Sequence, residues 1–82
     1  MLAVRVSLQR AASTPTQAEA ELVRDALWAH AVPADFIEHI TVIPVQNSIE
    51  VVLFISSRAE SPTARAHDLI HRAATGSPAV AA

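Results

Sequence analysis

The sequence predicts an α+β domain with the element order βαββα. Three observations carry that prediction. Apolar residues alternate with period two over residues 2–9, and residues 49–56 form a strand-like run that is apolar on both faces. Two stretches with helical periodicity each open on a hydroxyl residue followed by proline. A short polar turn, Gln46-Asn47-Ser48, separates two strand-like runs.

In the first run, Leu2, Val4, Val6 and Leu8 fall on one side and Ala3, Arg5, Ser7 and Gln9 on the other, the pattern of a half-buried strand. The stretch Ser13-Thr14-Pro15-Thr16-Gln17 then opens a helix, with Thr14 as N-cap, Pro15 at the first helical position and Gln17 completing a capping box. That helix is expected from about Pro15 to Ala31, ending before Pro33. Its apolar arc is Leu22, Val23, Ala26 and Leu27, with Ala18 and Ala29 at the margin.

Residues 34–38 read as a turn or an early strand start. Residues 39–46 are strand-like, and Pro44, which lacks a ladder donor, places that strand at a sheet edge. Asn47 tolerates the left-handed backbone of a tight turn. In residues 49–56, Ile49, Val51, Leu53 and Ile55 share one face. Val52 and Phe54 occupy the other, so the strand is apolar on both sides, as a central strand is. Ser61 caps and Pro62 opens a second helix with a stripe of Ala66, Leu69, Ile70 and Ala73, and Gly76 ends it.

A right-handed crossover makes strands one and two parallel, and the hairpin inserts strand three between them. The expectation is a three-stranded antiparallel sheet of order 1-3-2 with two helices on one face. In element order this resembles a ferredoxin-like fold, βαββαβ, lacking its last strand; the resemblance covers most of the chain and carries no family motif. A single domain over residues 1–76 and a short frayed tail over 77–82 are expected.

Composition excludes much chemistry. No Cys is present, which removes disulfides, thiol catalysis, iron–sulfur ligation and the cysteine metal motif of ferredoxin-like metallochaperones. All six basic residues are Arg, so no Lys is available for a Schiff base or a P-loop. The single glycine, Gly76, rules out phosphate-cradling and dinucleotide-binding loops. Abundant Ala and Arg without Lys matches the codon usage of a high-GC bacterium. A net charge of −2 gives no global attraction to nucleic acid or anionic lipid. The N-terminal residues lack the uninterrupted apolar core of a signal peptide, and the longest apolar run, Val51–Ile55, is far short of a membrane span. No membrane and a cytoplasmic location are therefore expected.

Candidate chemistry is sparse. His67-Asp68-Leu69-Ile70-His71 differs by one methylene from the H-E-x-x-H zinc signature. His67 and His71 are thus the metal candidates, with His30, His39 or Glu60 as a third ligand. However, Asp reaches less far than Glu, and Asp68 and Arg72 form an i, i+4 pair beside Arg65. A solvated helix face is the better reading, and no metal or cofactor is assigned. His30, Asp35, Glu38 and His39 cluster in sequence as imidazoles beside carboxylates, the usual general-base pairing. Asp35 equally suits a turn cap, and no catalytic residue is assigned.

Trp28 lies on the wheel toward Glu21 and Arg24. It is either an interface anchor or a ring folded over the helix end against Val32–Phe36. Nucleic-acid binding is not expected, because Phe54 is a lone aromatic among Glu50, Val52 and Ser56, and Glu60 and Asp68 dilute the stripe of Arg58, Arg65 and Arg72.

With helices on one face only, Val52 and Phe54 are left on an open sheet face, and strand one has an open edge. The expectation is a non-catalytic accessory or regulatory module, with Val52, Phe54 and Trp28 as interface residues. It would form a homodimer through its sheet, by stacking or by edge pairing, or bind another protein. Two alternatives are a ligand-binding protein or enzyme of the dimeric α+β barrel kind, with His39 and Glu50 on a cavity between sheets, and metal binding through helix two.

Overall fold

The strand with apolar residues on both faces forms the middle of the sheet. In the computed structural model, which describes residues 1–10 and 14–81, the elements are β1 (Leu2–Gln9), α1 (Gln17–His30), a 3-10 turn (Pro33–Asp35), β2 (Ile37–Val45), β3 (Ser48–Ile55), α2 (Pro62–Gly76) and a helical turn α3 (Pro78–Ala81). The sheet is three-stranded in the order β1-β3-β2, and β3 runs antiparallel to both neighbours. The α+β fold with sheet order 1-3-2 is the one the residue pattern predicts.

Cross-strand partners define two faces. Leu53 lies between Val4 and Ile40, and Val51 between Val6 and Val42; these rows face the helices. Phe54 lies between Ala3 and His39, Val52 between Arg5 and Thr41, and Glu50 between Ser7 and Ile43, on the opposite face. The hairpin turn is the two residues Gln46-Asn47, with Asn47 at φ 61°, as its tolerance of left-handed geometry allows. The Arg10 N–H donates to the Asn47 carbonyl at 2.8 Å. By alternation, the backbone groups of Ile49, Val51, Leu53 and Ile55 therefore point to β1, and those of Ser48, Glu50, Val52 and Phe54 to β2. On β2, Ile40, Val42 and Pro44 then turn their backbone nitrogens outward. Pro44 forfeits no ladder bond there, which is why an edge strand tolerates it.

The core is a single cluster. Ile49, Val51, Leu53 and Ile55 meet Val23 and Leu27 of α1 and Ala66, Leu69 and Ala73 of α2, all fully buried. At about 1.5–3 kcal/mol for each large side chain removed from water, this layer is the main source of stability in a chain with no disulfide. Buried alanines on both helices let their backbones approach the sheet.

Several boundaries differ from the predicted ones, each for a local reason. The N-cap of α1 is Thr16 rather than Thr14: its hydroxyl accepts from the Glu19 N–H at 3.1 Å, while Pro15 is buried ahead of the helix. Ser13, the first residue of that predicted start signal, lies outside the described residues. The buried face of α1 is Ala20, Val23 and Leu27, so Leu22 points away and is 57% exposed. Ser61 precedes α2 in a left-handed conformation, and its side chain makes no capping bond. Residues 78–81, expected to fray, form a turn whose Val80 is buried and whose Ala79 carbonyl accepts from Arg10 at 2.7 Å. Ala82 lies outside the described residues.

Gly76 also plays a different part. It closes α2 without a positive φ. Its role is spatial, because a Cβ there would overlap Nε2 of His30, whose Nδ1 donates to the Ala26 carbonyl at 2.8 Å. Replacing a helical glycine by alanine ordinarily stabilises by up to about 1 kcal/mol. Here Gly76→Ala is expected to give no gain in urea unfolding, because His30 must leave its bond, and to recover the gain in a His30→Ala background. Equal gains in both backgrounds would contradict this packing.

Candidate interaction surface

Among the described residues, every helix packs on one side of the sheet, and none covers the other. Its central row, Glu50, Val52 and Phe54, is half-buried by neighbouring strands alone, and on β2 Ile43 is 50% and Val45 37% exposed. Phe54 contacts His39 across the strands, with ring centroids 5.7 Å apart and planes tilted by 46°. Arg5, Ser7 and Gln9 of β1 and Thr41 of β2 supply a polar margin. Glu50 Oε2 is buried on this face without a hydrogen-bond partner. Buried polar atoms are nearly always satisfied, which sets this oxygen apart on the face.

Val52 and Phe54 thus lie side by side where the sequence placed them. Trp28 does not join them, because it is on α1, on the covered side of the sheet. It lies at the helix end against the Val32–Phe36 loop, 40% exposed, and with Ala31, Val32, Pro33, Phe36 and Ile37 it lines a shallow hollow of about 280 Å³. Phe36 adopts a left-handed backbone at φ 54°, unfavourable for a bulky side chain. Its N–H donates to the Pro33 carbonyl at 3.1 Å, its carbonyl accepts from the Ser56 N–H at 2.9 Å, and Arg58 lies 5.9 Å over its ring. These contacts hold the strained residue in place.

The second feature is a charged lock. Asp35 is fully buried, and its Oδ2 accepts from the Val32 N–H at 3.1 Å and from Arg72 Nη2 at 2.6 Å. Arg72 also donates to the His30 carbonyl at 3.2 Å and to Asp68 at 2.5 Å. Asp35 Oδ1 has no hydrogen bond, and Arg65 approaches it only to 4.0 Å. One guanidinium therefore ties α2 to the end of α1 and to the 3-10 turn. The Asp68–Arg72 pair was legible as an i, i+4 spacing. The long-range bond to Asp35 was not, because nothing in the sequence relates residues 37 positions apart.

The remaining candidates stay separate. Asp35 pairs with Arg72 and not with an imidazole, His30 turns toward Ala26 and Gly76, and Glu38 and His39 are exposed on β2, so no imidazole–carboxylate couple forms among the described residues. His67 and His71 are exposed on α2. Among the described residues, no three His, Asp or Glu side chains come together as a metal site would require. No helix is long and apolar enough to cross a membrane.

No protein-family profile, curated protein or solved structure matches the chain. The functional reading therefore rests on these surfaces. For the lock, Asp35→Ala is expected to lower the unfolding free energy by about 2–3 kcal/mol, since it leaves the Val32 N–H unpaired and removes the buried partner of Arg72. Asp68→Ala, at an exposed pair, is expected to cost about 0.5 kcal/mol or less. Chemical denaturation of both variants checks the contrast, and equal losses would refute the lock.

Proposed function

We propose that this protein is a non-catalytic accessory or regulatory module that self-associates through its sheet. The observation that carries this reading is the one-sided packing, which leaves Ile43 and Val45 exposed and Val52 and Phe54 half-buried on a face that no helix among the described residues covers. Uncovered apolar surface of this kind on a small domain is characteristic of interfaces. A second copy is the simplest cover, because a two-fold interface buries the same patch twice. The orphaned Glu50 oxygen supports the reading, since an opposing donor such as Arg5 of the second copy would satisfy it. Trp28 lies on the other side of the sheet, against the Val32–Phe36 loop, and takes no part in this surface.

A second reading has a specific observation in its favour. His39 and Glu50 both lie on the bare face, so two facing sheets would turn them toward each other across any space left between them. Such a chamber would make the dimer a ligand-binding protein or enzyme of the α+β barrel kind.

Phe54→Glu tests the association. A loss of about 1.4 kcal/mol at each of two equivalent positions multiplies the dissociation constant about a hundredfold. Sedimentation velocity at matched concentrations is expected to show that weakening, with the circular dichroism spectrum unchanged. A variant that associates as tightly as the parent would remove the face from the interface.

A further inference from the structure

The two edges of the sheet are not alike. Edge strands offer unpaired backbone groups to other chains, and proteins blunt them with proline, bulges, charge or short length. The β2 edge carries two such devices: Pro44, whose nitrogen faces outward, and a break in register between Ile37 and His39. The β1 edge carries neither. Its register with β3 is unbroken from Leu2 to Gln9, it contains no proline, and Arg5 is its only charged residue. Leu2, Ala3, Arg5, Ser7 and Gln9 are exposed. On its helix-facing side only Val4 is fully covered; Val6 and Leu8 are half-buried, and Leu2 is 44% exposed.

We propose that β1 pairs antiparallel with β1 of a second copy, with Val6 on the two-fold axis, making a continuous six-stranded sheet. The proposal rests on the self-association proposed above but uses a different surface: in-plane backbone groups rather than the bare face.

The chain's chemistry selects both the occupant and the register. Even-numbered residues of β1 turn their backbone groups toward β3, as the Arg10–Asn47 bond requires, so Ala3, Arg5, Ser7 and Gln9 present theirs at the free edge. Two-fold pairing must then match odd residues with odd. Centring on Arg5 would oppose two guanidiniums directly, which is unfavourable. Centring on Ser7 would pair only residues 5–9 within the strand and set Arg10 opposite Val4. Centring on Val6 pairs residues 3–9. It sets Arg5 opposite Ser7 and Ala3 opposite Gln9 on the bare face, and Val6 opposite Val6 and Val4 opposite Leu8 on the helix face. That register brings no like charges together and covers the half-buried side chains of β1. A second copy is therefore self-complementary at this edge.

A chain without cysteine makes the test clean. Val6 meets its mate in a non-hydrogen-bonded pair, with Cα atoms about 4.5 Å apart, within disulfide reach. Under mild oxidation, Val6→Cys is expected to give a covalent dimer, whereas Val4→Cys and Leu8→Cys, which face each other and not themselves, are not. Ser7→Pro removes an outward donor while sparing the β1–β3 ladder, and is expected to abolish the Val6→Cys crosslink with the fold retained by circular dichroism. Should Ser7→Pro fail to fold, the position dependence of the crosslink decides alone.

Crosslinking confined to Val6→Cys, whatever Phe54→Glu does to the mass, supports edge pairing; if Phe54→Glu leaves association intact, only the face reading falls. Association lost in Phe54→Glu but no crosslink at Val6→Cys overturns edge pairing and leaves the face. Crosslinking equally strong at all three positions, or none with a parent that stays monomeric, also overturns it.

Discussion

The contact on which the structure depends is the inward stripe of β3, Ile49, Val51, Leu53 and Ile55, against Val23 and Leu27 of α1 and Leu69 of α2. It is one row of side chains deep, because both helices lie on the same side of a three-stranded sheet. A core of this kind closes one face and leaves the other to the outward set of the same strand. Val52 and Phe54 are consequences of the packing that buries Val51 and Leu53: in a strand, each residue turned inward commits its neighbour to the opposite side.

The helices need more than that row to hold their places. Arg72 reaches from α2 to the His30 carbonyl at the end of α1 and to the buried Asp35. On the same junction, Gly76 gives His30 the space a methyl group would occupy. The junction between α1 and β2 is thereby held by a charge pair on one side and by the His30 ring against Gly76 on the other. Its strained Phe36 is held by bonds to Pro33 and Ser56. At the other end, Val80 and the bond from Arg10 to Ala79 dock the last turn onto the core, a small extension of a core that short chains find difficult to build.

Much of the fold was legible because its signals are local. Alternation revealed β1, an apolar run on both faces revealed β3, Pro15 and Pro62 marked the approach to each helix, and Pro44 placed β2 at an edge. What escaped depended on contacts between distant segments. Leu22 read as core because periodicity alone cannot say which of two adjacent arcs meets the sheet; the arc that does is Ala20, Val23 and Leu27. Gly76 read as a helix stop, although its neighbour across space is His30. The tail read as frayed because small residues carry no periodicity, yet Val80 has a place in the core. Of the candidate site residues, Val52 and Phe54 were readable from strand alternation, whereas the separation of Trp28 from them required the tertiary arrangement, as did the Asp35–Arg72 bond.

A sheet covered on one side only is the condition that the proposed association answers. The most direct measurement is the solution mass of the unaltered protein by light scattering across a dilution series, with chelator present so that adventitious metal plays no part. The account expects a mass of at least twice the 8.7 kDa chain at high concentration, falling toward the chain mass on dilution. A mass of one chain at every concentration would contradict it.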